Sequence, residues 1–353
     1  MPQLPLFQEA PTSLCVLRLS AIGDCCNAVA AVQAIQHQWP STAITWIMGK
    51  TEAGLLGDLV GVEVIPFDKH AGVGGMAQVW RQLRGRRFDA LLHMQSALRA
   101  SVLSFRIRAR ARLGFDGQRA KDGQHLFTNQ KVPSPTSPHV LDGFMAFAHA
   151  LGVSQPTPRW DIRIAEQEQA WAQEALGTGP TLLLAPAASL AYKNWTPEGY
   201  AAIADHASDW GFQVAVCSSP AASERQVAAQ VIERCAERPL DLAGKTSLKE
   251  LFALIRQANL VLGPDSGPLH MATAAGTAAL GLYAHHDPAR TGPYFCREYA
   301  VSAYHELVRE EHGKPPEELP WRTRVKSPDA MTRIKLEDVR AAFDRIVRDR
   351  GLA

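Results

Sequence analysis

Short apolar runs alternate with longer segments of helical spacing along most of this chain. Leu14-Cys-Val-Leu-Arg-Leu19 is typical of a buried parallel strand, and it leads into a helical stretch over 25–39. A further strand over 43–48 follows Pro40 and completes a βαβ unit. This alternation is typical of an α/β protein with parallel sheets, and 353 residues are long enough for two domains with sizeable cores.

The turn after the first strand carries Gly23 and Asp24. Open α/β sheets bind ligands at the carboxyl ends of their strands, so this turn is a candidate binding site. It lacks the GxGxxG pattern of a dinucleotide-binding turn. Two interpretations of Asp24 stay open at this point: the N-cap of its helix, or a general base.

The segment 263–272 places an acid, a hydroxyl and an imidazole between a strand over 259–262 and a helix over 269–279. Ser266 or Asp265 is a candidate helix cap, and the free backbone N–H groups at such a helix start attract phosphate. His270 follows Ser266 by four residues, which puts both on one side of the helix. The alternative is an ordinary capped helix with a packed histidine.

A third strand runs into a loop over 182–189, and a helix begins at Thr196 and Pro197. Lys193 lies in this loop, which we expect at the same sheet edge as 263–270. An ammonium there would neutralise a leaving diphosphate. The alternative is a solvated loop lysine.

Positive charge is concentrated in the first half of the chain. Residues 1–155 have a net charge of +5 and the remainder −3. The segment from Arg81 to Lys121 contains eleven basic residues but only two acidic ones, Asp89 and Asp116. Arg99 and Arg112 belong to this group, whose guanidinium groups suit the phosphates and carboxylates of an acidic lipid-linked glycan. A merely solvated surface is the alternative, whereas a nucleic-acid partner is disfavoured because no aromatic residues interleave the arginines.

No apolar run of about 18 residues predicts a membrane span, and residues 1–12 lack the features of a signal peptide. The six cysteines have no CxxC spacing, as in a reducing compartment, and we expect them to be buried packing residues. The twelve histidines show no ligand spacing with cysteines or carboxylates, so no metal site is expected. These features predict a cytoplasmic protein.

With these residues in view, the chain resembles the heptosyltransferases of glycosyltransferase family 9 over roughly 14–294. The matching pieces are 18–24, 88–95 with Arg99, 112–115, His139 with Asp142, 193–195, Glu224, 242–248, 263–272 and 287–293. The resemblance implies a GT-B architecture, in which two Rossmann-like domains face a cleft. It implies an acceptor-binding domain over 1–155, a nucleotide-sugar-binding domain over 156–330, and a helix over 331–353 that crosses back to the first domain, with 153–158 as the linker.

The resemblance also implies an inverting transfer of L-glycero-D-manno-heptose from ADP-heptose to the inner core of lipopolysaccharide. Asp24 would accept the proton of the acceptor hydroxyl, and Lys193 with the N–H groups at Ser266 and Gly267 would stabilise the leaving diphosphate without a metal. Further positions are expected to bind the donor, namely Ser189, Glu224, Asp265 and His270, and others the acceptor, namely Arg99, Arg112 and Asn27. We expect a peripheral contact with the inner face of the inner membrane, where the lipid-linked acceptor lies.

Some positions depart from the family pattern. Asn27 replaces a common His, His93 a common Asp, and Tyr283-Ala-His-His-Asp287 stands where the family commonly has Gly-Pro followed by Ser or Thr. His285 and His286 either recognise a different sugar or are exposed loop residues. A homologue with another nucleotide sugar or acceptor, and a non-catalytic nucleotide-sugar-binding protein, therefore stay open, whereas an NAD enzyme is disfavoured by the single Gly23 in the first turn.

Overall fold

The computed structural model describes residues 4–352 and divides into two compact units, the first ending at Arg163 and the second beginning at Ile164. Each unit is built around its own parallel sheet. The predicted pair of Rossmann-like α/β domains is confirmed. The outermost residues of the predicted domain ranges, 1–3 and 353, lie outside the described part.

The first unit has a six-stranded parallel sheet with the order β3-β2-β1-β4-β5-β6. Its strands are β1 (Ser13–Leu17), β2 (Ala43–Gly49), β3 (Val62–Phe67), β4 (Phe88–His93), β5 (Ala109–Gly114) and β6 (Gln130–Lys131). Its helices are α1 (Ile22–Gln38), α2 (Lys50–Leu56), α3 (Gly72–Gln82), α4 (Leu98–Ser104) and α5 (Val140–Leu151). This is the strand order of a dinucleotide-binding Rossmann domain, even though the glycine fingerprint is missing.

The second unit repeats this topology, with the sheet order β12-β11-β10-β7-β8-β9. Its strands are β7 (Thr181–Leu184), β8 (Gln213–Ser218), β9 (Leu240–Ala243), β10 (Leu260–Pro264), β11 (Ala278–Tyr283) and β12 (Val301–Ser302). Its helices are α6 (Glu166–Leu176), α7 (Pro197–Asp209), α8 (Ala222–Arg234), α9 (Leu248–Gln257), α10 (Gly267–Ala275), α11 (Pro288–Thr291), α12 (Tyr304–His312) and α13 (Leu336–Arg350). Counted within the unit, the order of its strands is that of the first unit.

The segment predicted as a linker, 153–158, lies within the first unit, and the division falls eight residues after the predicted boundary at 155. Two contacts hold the residues just after this segment on α1. The Trp160 indole donates to the Cys26 carbonyl at 2.8 Å, and the Gln33 side chain exchanges two hydrogen bonds with the Asp161 backbone at 2.6 and 2.9 Å. Composition marked this stretch as polar and proline-rich, but these tertiary contacts decide its place.

The C-terminal helix α13 packs in the second unit, on α7 and β11, where the sequence prediction had it crossing back to the first domain. Its apolar face, including Val339, Phe343 and Ile346, is buried in the second unit's core. Polar contacts add to this, since His206 on α7 bonds Asp344 at 2.7 Å and the Tyr299 hydroxyl bonds Asp349 at 3.1 Å. An amphipathic helix packs where its apolar stripe finds a partner, and that partner cannot be read from the helix itself.

In each sheet the order reverses between two central strands, β1 and β4 in the first and β7 and β10 in the second. At such a switch point the loops after the two strands part to opposite faces and leave a crevice at the carboxyl edge. Asp24 follows β1, while Lys193 follows β7 and Asp265 follows β10. The three segments singled out in the sequence thus all lie at switch points.

The cysteines have the surroundings that were expected of packing residues. All six cysteines are free, and five of them are buried, with Cys235 at intermediate exposure. Burial raises the pKa of Cys15 and of Cys26 to about 12, as for inert packing thiols. Of the helices over 4–352, none is both long and apolar enough to cross a membrane.

Candidate functional site

Hydrogen bonds connect the turn after β1 to the residues that follow β4. The backbone N–H groups of Leu19 and Ser20 both donate to the side-chain oxygen of Gln95, at 3.1 and 3.2 Å. Gln95 belongs to the matching segment 88–95, but no role was predicted for it. It bridges the two loops that border the switch point and so sets the position of the turn that leads to Asp24.

Asp24 is the third residue of α1, whose N-cap is Ala21, so the N-cap interpretation of Asp24 is wrong. Its carboxylate instead pairs with the guanidinium of Arg18. Arg18 is itself held by a 2.8 Å bond to the Met94 carbonyl and lies 5.2 Å from the centroid of the Phe144 ring. The Asp24 side chain is 37% exposed, against 9% for Arg18. A fixed, buried cation therefore orients a carboxylate that solvent and ligands can reach.

The second unit brings together Lys193, Asp265 and His286. The Lys193 ammonium lies 2.8 Å from Asp265 Oδ2 and 3.1 Å from the Asp265 carbonyl oxygen. The Nδ1 of His286 lies 2.7 Å from the same Oδ2. All three side chains are mostly buried, with 15%, 11% and 17% of their surfaces exposed. A single carboxylate oxygen thus receives two strong donors at the switch point between β7 and β10.

The electrostatics of this cluster favour an ionised Asp265. Burial by itself would raise the pKa of Asp265, but the hydrogen bond from His286 and the positive charge of Lys193 outweigh it, so the pKa lies well below its usual range. For His286 the effect of burial is instead larger than that of the hydrogen bond to Asp265. Burial and the charges of Lys193 and Arg290 lower its pKa, and they exceed the effect of Asp265. At neutral pH we therefore assign His286 as a neutral imidazole that donates its Nδ1–H to the Asp265 carboxylate.

The start of α10 lies directly beside Asp265. Ser266 is the N-cap residue, yet its side chain makes no capping bond, and its buried hydroxyl has no hydrogen-bond partner among residues 4–352. Gly267 and Pro268 form the first helical positions, so the N–H of Gly267 is among those left without an intrahelical partner. Backbone N–H groups, an unused hydroxyl and an adjacent ammonium form a set of donors suited to an anionic group.

Further predicted donor positions lie on neighbouring loops at the same edge. His270 sits in the first turn of α10 at intermediate exposure, and Ser189 is exposed in the loop after β7. Glu224 lies in the first turn of α8 and accepts a 3.2 Å bond from the Ser219 N–H. The contacts of the structure join Lys193 and Asp265 directly, whereas the assignment of Ser189, Glu224 and His270 to a donor stays a prediction.

The two histidines of the segment 283–287 have different surroundings, and neither is an exposed loop residue. His285 is 3% exposed, with its Nδ1 3.0 Å from the Val325 carbonyl oxygen and its ring 4.6 Å from that of Tyr192. His286 faces Asp265. His285 therefore has a packing role, whereas His286 belongs to the cluster with Lys193 and Asp265. The sequence signalled this segment only as a departure from the family pattern.

Arg290, on α11, is a further cation of this region that the sequence analysis left without a role. Its guanidinium lies 4.4 Å from the centroid of the Trp321 ring, and it donates to the Trp321 carbonyl at 2.9 Å. Burial lowers the pKa of Arg290, and the charge of Asp265 opposes this shift. It adds positive charge behind His286.

The candidate acceptor residues of the first unit do not share one environment. Arg99 is exposed on α4. In Arg112, by contrast, each of the three guanidinium nitrogens donates a hydrogen bond to a carbonyl group. The acceptors are Phe127, Ile107 and Ser104, at 2.8, 2.6 and 2.8 Å. These bonds give Arg112 a structural role, and its assignment to the acceptor stays a prediction. Asn27 lies one helical turn after Asp24 but is only 1% exposed, so it offers no surface to a large glycan.

Among the described residues no group of three or more His, Cys, Asp or Glu side chains has a geometry that could hold a metal ion. That the chemistry needs no metal stays a prediction.

Comparisons with known proteins agree with this fold. The family described as Glycosyltransferase family 9 (heptosyltransferase) matches residues 76–322. The lipopolysaccharide core heptosyltransferase OpsX of Haemophilus influenzae is 48% identical over 337 residues, which is 95% of this chain and 97% of that protein. The chain therefore covers nearly the whole of that relative, including both predicted domains.

Two solved structures have the same fold at low sequence identity. The glycosyl transferase family 9 protein from Veillonella parvula superposes with a TM-score of 0.78 at 20% identity, over 96% of this chain and 97% of that one. The heptosyltransferase WaaC of E. coli, solved with ADP, gives a TM-score of 0.67 at 20% identity, over 82% and 92% of the two chains.

Proposed function

The chain belongs to glycosyltransferase family 9, the heptosyltransferases, and we propose that it transfers heptose from ADP-heptose to the inner core of lipopolysaccharide. The observation that carries this proposal is the 48% identity to a lipopolysaccharide core heptosyltransferase over 95% of the chain. The nucleotide is proposed to be ADP because the related WaaC binds it. The acceptor is proposed to be an anionic, lipid-linked glycan, for which the basic first unit is suited.

In the proposed reaction the acceptor hydroxyl attacks the anomeric carbon of the donor and displaces ADP in a single inverting step. Asp24 is the proposed general base. Arg18 Nη2 bonds its Oδ2 and fixes the carboxylate plane, so Oδ1 is the oxygen presented to the hydroxyl proton. A base in the correct position contributes about 10² to 10⁴ in rate, since an alcohol is a poor nucleophile.

The leaving diphosphate is the proposed ligand of the cluster in the second unit. Lys193 and the N–H groups at the start of α10 would stabilise the negative charge that grows on it. In the structure Lys193 is paired with Asp265. Binding of a diphosphate therefore requires that the ammonium be shared between the phosphate and Asp265, and the hydrogen bond from His286 to Asp265 eases this because the carboxylate keeps a partner.

The alternative of a non-catalytic nucleotide-sugar-binding protein requires loss of the base or of the diphosphate cluster. Asp24 retains a fixed, accessible carboxylate, and Lys193 lies beside Asp265 and the start of α10. These features support transfer rather than binding alone. The alternative of another sugar or acceptor differs from the proposed heptosyl transfer only in the groups that contact the sugar rings.

The experiment that tests the proposal measures nucleotide release by the purified protein. We expect ADP release from ADP-heptose that depends on lipid A carrying Kdo or on its heptosylated form, and no release from UDP-, GDP- or CMP-sugars. Release that is independent of both acceptors would contradict the acceptor assignment. Detectable ADP-heptose binding without any release would favour the non-catalytic alternative.

A further inference from the structure

One face of helix α4 exposes large apolar side chains to solvent. Leu98, Val102 and Phe105 are 57%, 39% and 75% exposed. Their spacing of four and three residues places them on one stripe along the helix, which continues through Phe105 because that residue keeps a helical backbone. The opposite face, with Ala100, Ser101, Leu103 and Ser104, is buried in the first unit. The stripe is therefore a surface of the folded unit and not part of its core.

Arginines border this stripe, and acids are missing from the segment around it. Arg99 lies on α4 and Arg106 follows its end, while Arg108 immediately precedes β5 and Arg110 lies in it; all four are exposed. From residue 90 to residue 115 the sequence has no aspartate or glutamate. The acids at either end are engaged elsewhere, since Asp89 accepts the Ser13 N–H at 2.9 Å and Asp116 pairs with Arg119 at 3.1 Å.

A network of hydrogen bonds holds the stripe in a fixed position. Arg112 joins the carbonyl groups of Ser104 and Ile107 at the end of α4 to that of Phe127. The Trp80 indole on α3 donates to the Leu103 carbonyl at 2.8 Å, and the Arg106 guanidinium lies 4.8 Å from the centroid of its ring. The neighbour of Phe127, Leu126, is 76% exposed, which adds a further apolar side chain beside the end of α4.

We propose that this face, formed by Leu98, Val102, Phe105 and the arginines 99, 106, 108 and 110, is a membrane-docking surface that binds anionic lipid bilayers. Apolar tips flanked by cationic groups match the boundary between acyl chains and headgroups, where the tips are buried and the cations meet lipid phosphates. Guanidinium groups suit those phosphates because they donate two parallel hydrogen bonds. Charge complementarity thus selects an anionic bilayer as the occupant.

This inference goes beyond the transfer reaction, and it rests on the proposed function only in that a lipid-linked acceptor brings the enzyme to a bilayer. A vesicle-binding assay contains neither donor nor acceptor, so its outcome is independent of the activity measurement. The docking proposal and the proposed transfer reaction can therefore fail independently of each other.

The test is sedimentation of the full chain with phosphatidylcholine vesicles, with and without phosphatidylglycerol. We expect binding only to the vesicles that contain phosphatidylglycerol, and a loss of partitioning by about tenfold in Phe105→Ser, since one large apolar side chain no longer enters the interface. The double variant Arg106→Glu/Arg108→Glu should lose at least about tenfold, and high salt should weaken the wild type similarly.

Matched controls lie in the second unit. Phe295→Ser removes a phenylalanine that is 49% exposed, and Arg340→Glu reverses an exposed charge on α13, so neither should change vesicle binding. Circular dichroism confirms folding, which substitutions at exposed positions rarely disturb. Equal binding by the wild type and Phe105→Ser, or equal binding to both vesicle types, would overturn the proposal.

A second readout separates a bilayer from the acceptor as the source of lipid phosphate. Transfer to a deacylated, water-soluble acceptor should be unchanged in Phe105→Ser, because that reaction involves no bilayer. If this variant instead loses transfer to the soluble acceptor, the face belongs to the acceptor site and the membrane assignment is wrong.

Discussion

Two carboxylates, each at the switch point of its own sheet, have different partners, and this difference separates their proposed roles. Asp24 pairs with one arginine and keeps 37% of its side chain exposed, whereas Asp265 is 11% exposed and receives both Lys193 and His286. An accessible carboxylate is suited to take a proton from a substrate. A buried carboxylate with two donors is suited to position those donors.

For Asp24 we predict that Asp24→Asn lowers the transfer rate by about 10² to 10⁴, because the amide keeps the shape of the side chain but cannot accept the proton. The Kd for ADP should stay within about twofold, since ADP is expected at the second unit and a change there would have to exceed about 0.4 kcal/mol. Single-turnover kinetics and calorimetry measure these two quantities. Turnover close to that of the wild type would remove Asp24 as the base.

For His286 we predict that His286→Ala weakens ADP binding by about 10- to 100-fold, the equivalent of about 1.5–3 kcal/mol for a hydrogen bond to a charged group. Without this donor, Asp265 relies on Lys193 alone and holds the ammonium more tightly against the diphosphate.

The variant His286→Asn retains an N–H near the position of Nδ1 and should restore most of the ADP affinity. His305, which is 58% exposed and 3.6 Å from Asp287, supplies the matched control, and His305→Ala should leave the Kd unchanged. If His286→Ala bound ADP as tightly as the wild type, the histidine would have no part in positioning Asp265.

At the scale of elements, the first domain contains a buried polar network where the family commonly has an aspartate on β4. His93 is fully buried, with its Nε2 3.3 Å from the Ser101 hydroxyl on α4 and its Nδ1 3.2 Å from the Gln124 amide. Burial and the nearby charge of Arg112 lower the pKa of His93 to about 4. The network joins β4, α4 and the 3₁₀ turn over 124–126 through a neutral imidazole.

This network predicts an acid-sensitive first domain. The unfolded chain binds a proton at His93 below about pH 6.5 while the folded chain stays neutral there to about pH 4, so stability falls as pH drops through this window. The total loss is about 3 kcal/mol. Denaturant unfolding of the wild type and of His93→Asn at pH 7 and pH 4.5 measures it, and the variant should lose distinctly less stability. An identical pH dependence in both proteins would show that His93 is not the titrating group.

Gly263, near the end of β10, lies where β10 and the chain after β7 come too close together for a side chain. A Cβ at Gly263 would lie 2.6 Å from the Ala185 carbonyl oxygen, on the loop after β7. The two loops of the switch point therefore approach each other more closely than any side chain permits. A side chain at position 263 would therefore force β7 and β10 apart, next to the loops that carry Lys193 and Asp265.

At the scale of the molecule, the two domains repeat one topology but differ in charge. The chain has +5 in residues 1–155 and −3 in the remainder, yet the cluster proposed to bind the diphosphate in the acidic half is locally cationic through Lys193 and Arg290. Local placement of a few cations outweighs the net charge of a domain, because interactions between separated surface charges are screened within about 10 Å at ordinary ionic strength.

We therefore predict that transfer survives removal of divalent metal ions. Protein side chains and the start of α10 supply the positive charge that a metal would otherwise bring to the diphosphate. Activity after dialysis against EDTA should stay within about twofold of that with added Mg²⁺ or Mn²⁺, whereas Lys193→Ala should lose about 10²-fold or more. Loss of activity in EDTA with recovery on adding a metal would contradict this prediction.

The sequence alone determined the alternation of strands and helices, the two α/β domains and the strand-to-helix turns that carry Asp24, Lys193 and Asp265. Those features depend on local periodicity, turn residues and motif spacing, which are properties of short stretches of chain.

Which side chains meet depends instead on how distant parts of the chain pack together. Asp265 is 72 residues from Lys193 and 21 from His286 in sequence, and Arg112 reaches carbonyl groups on separate segments. The place of α13, the end of the first domain and the burial of His285 were decided in the same way. The physical reason is that burial and ion pairing depend on the packing of distant strands and helices, which no local pattern contains.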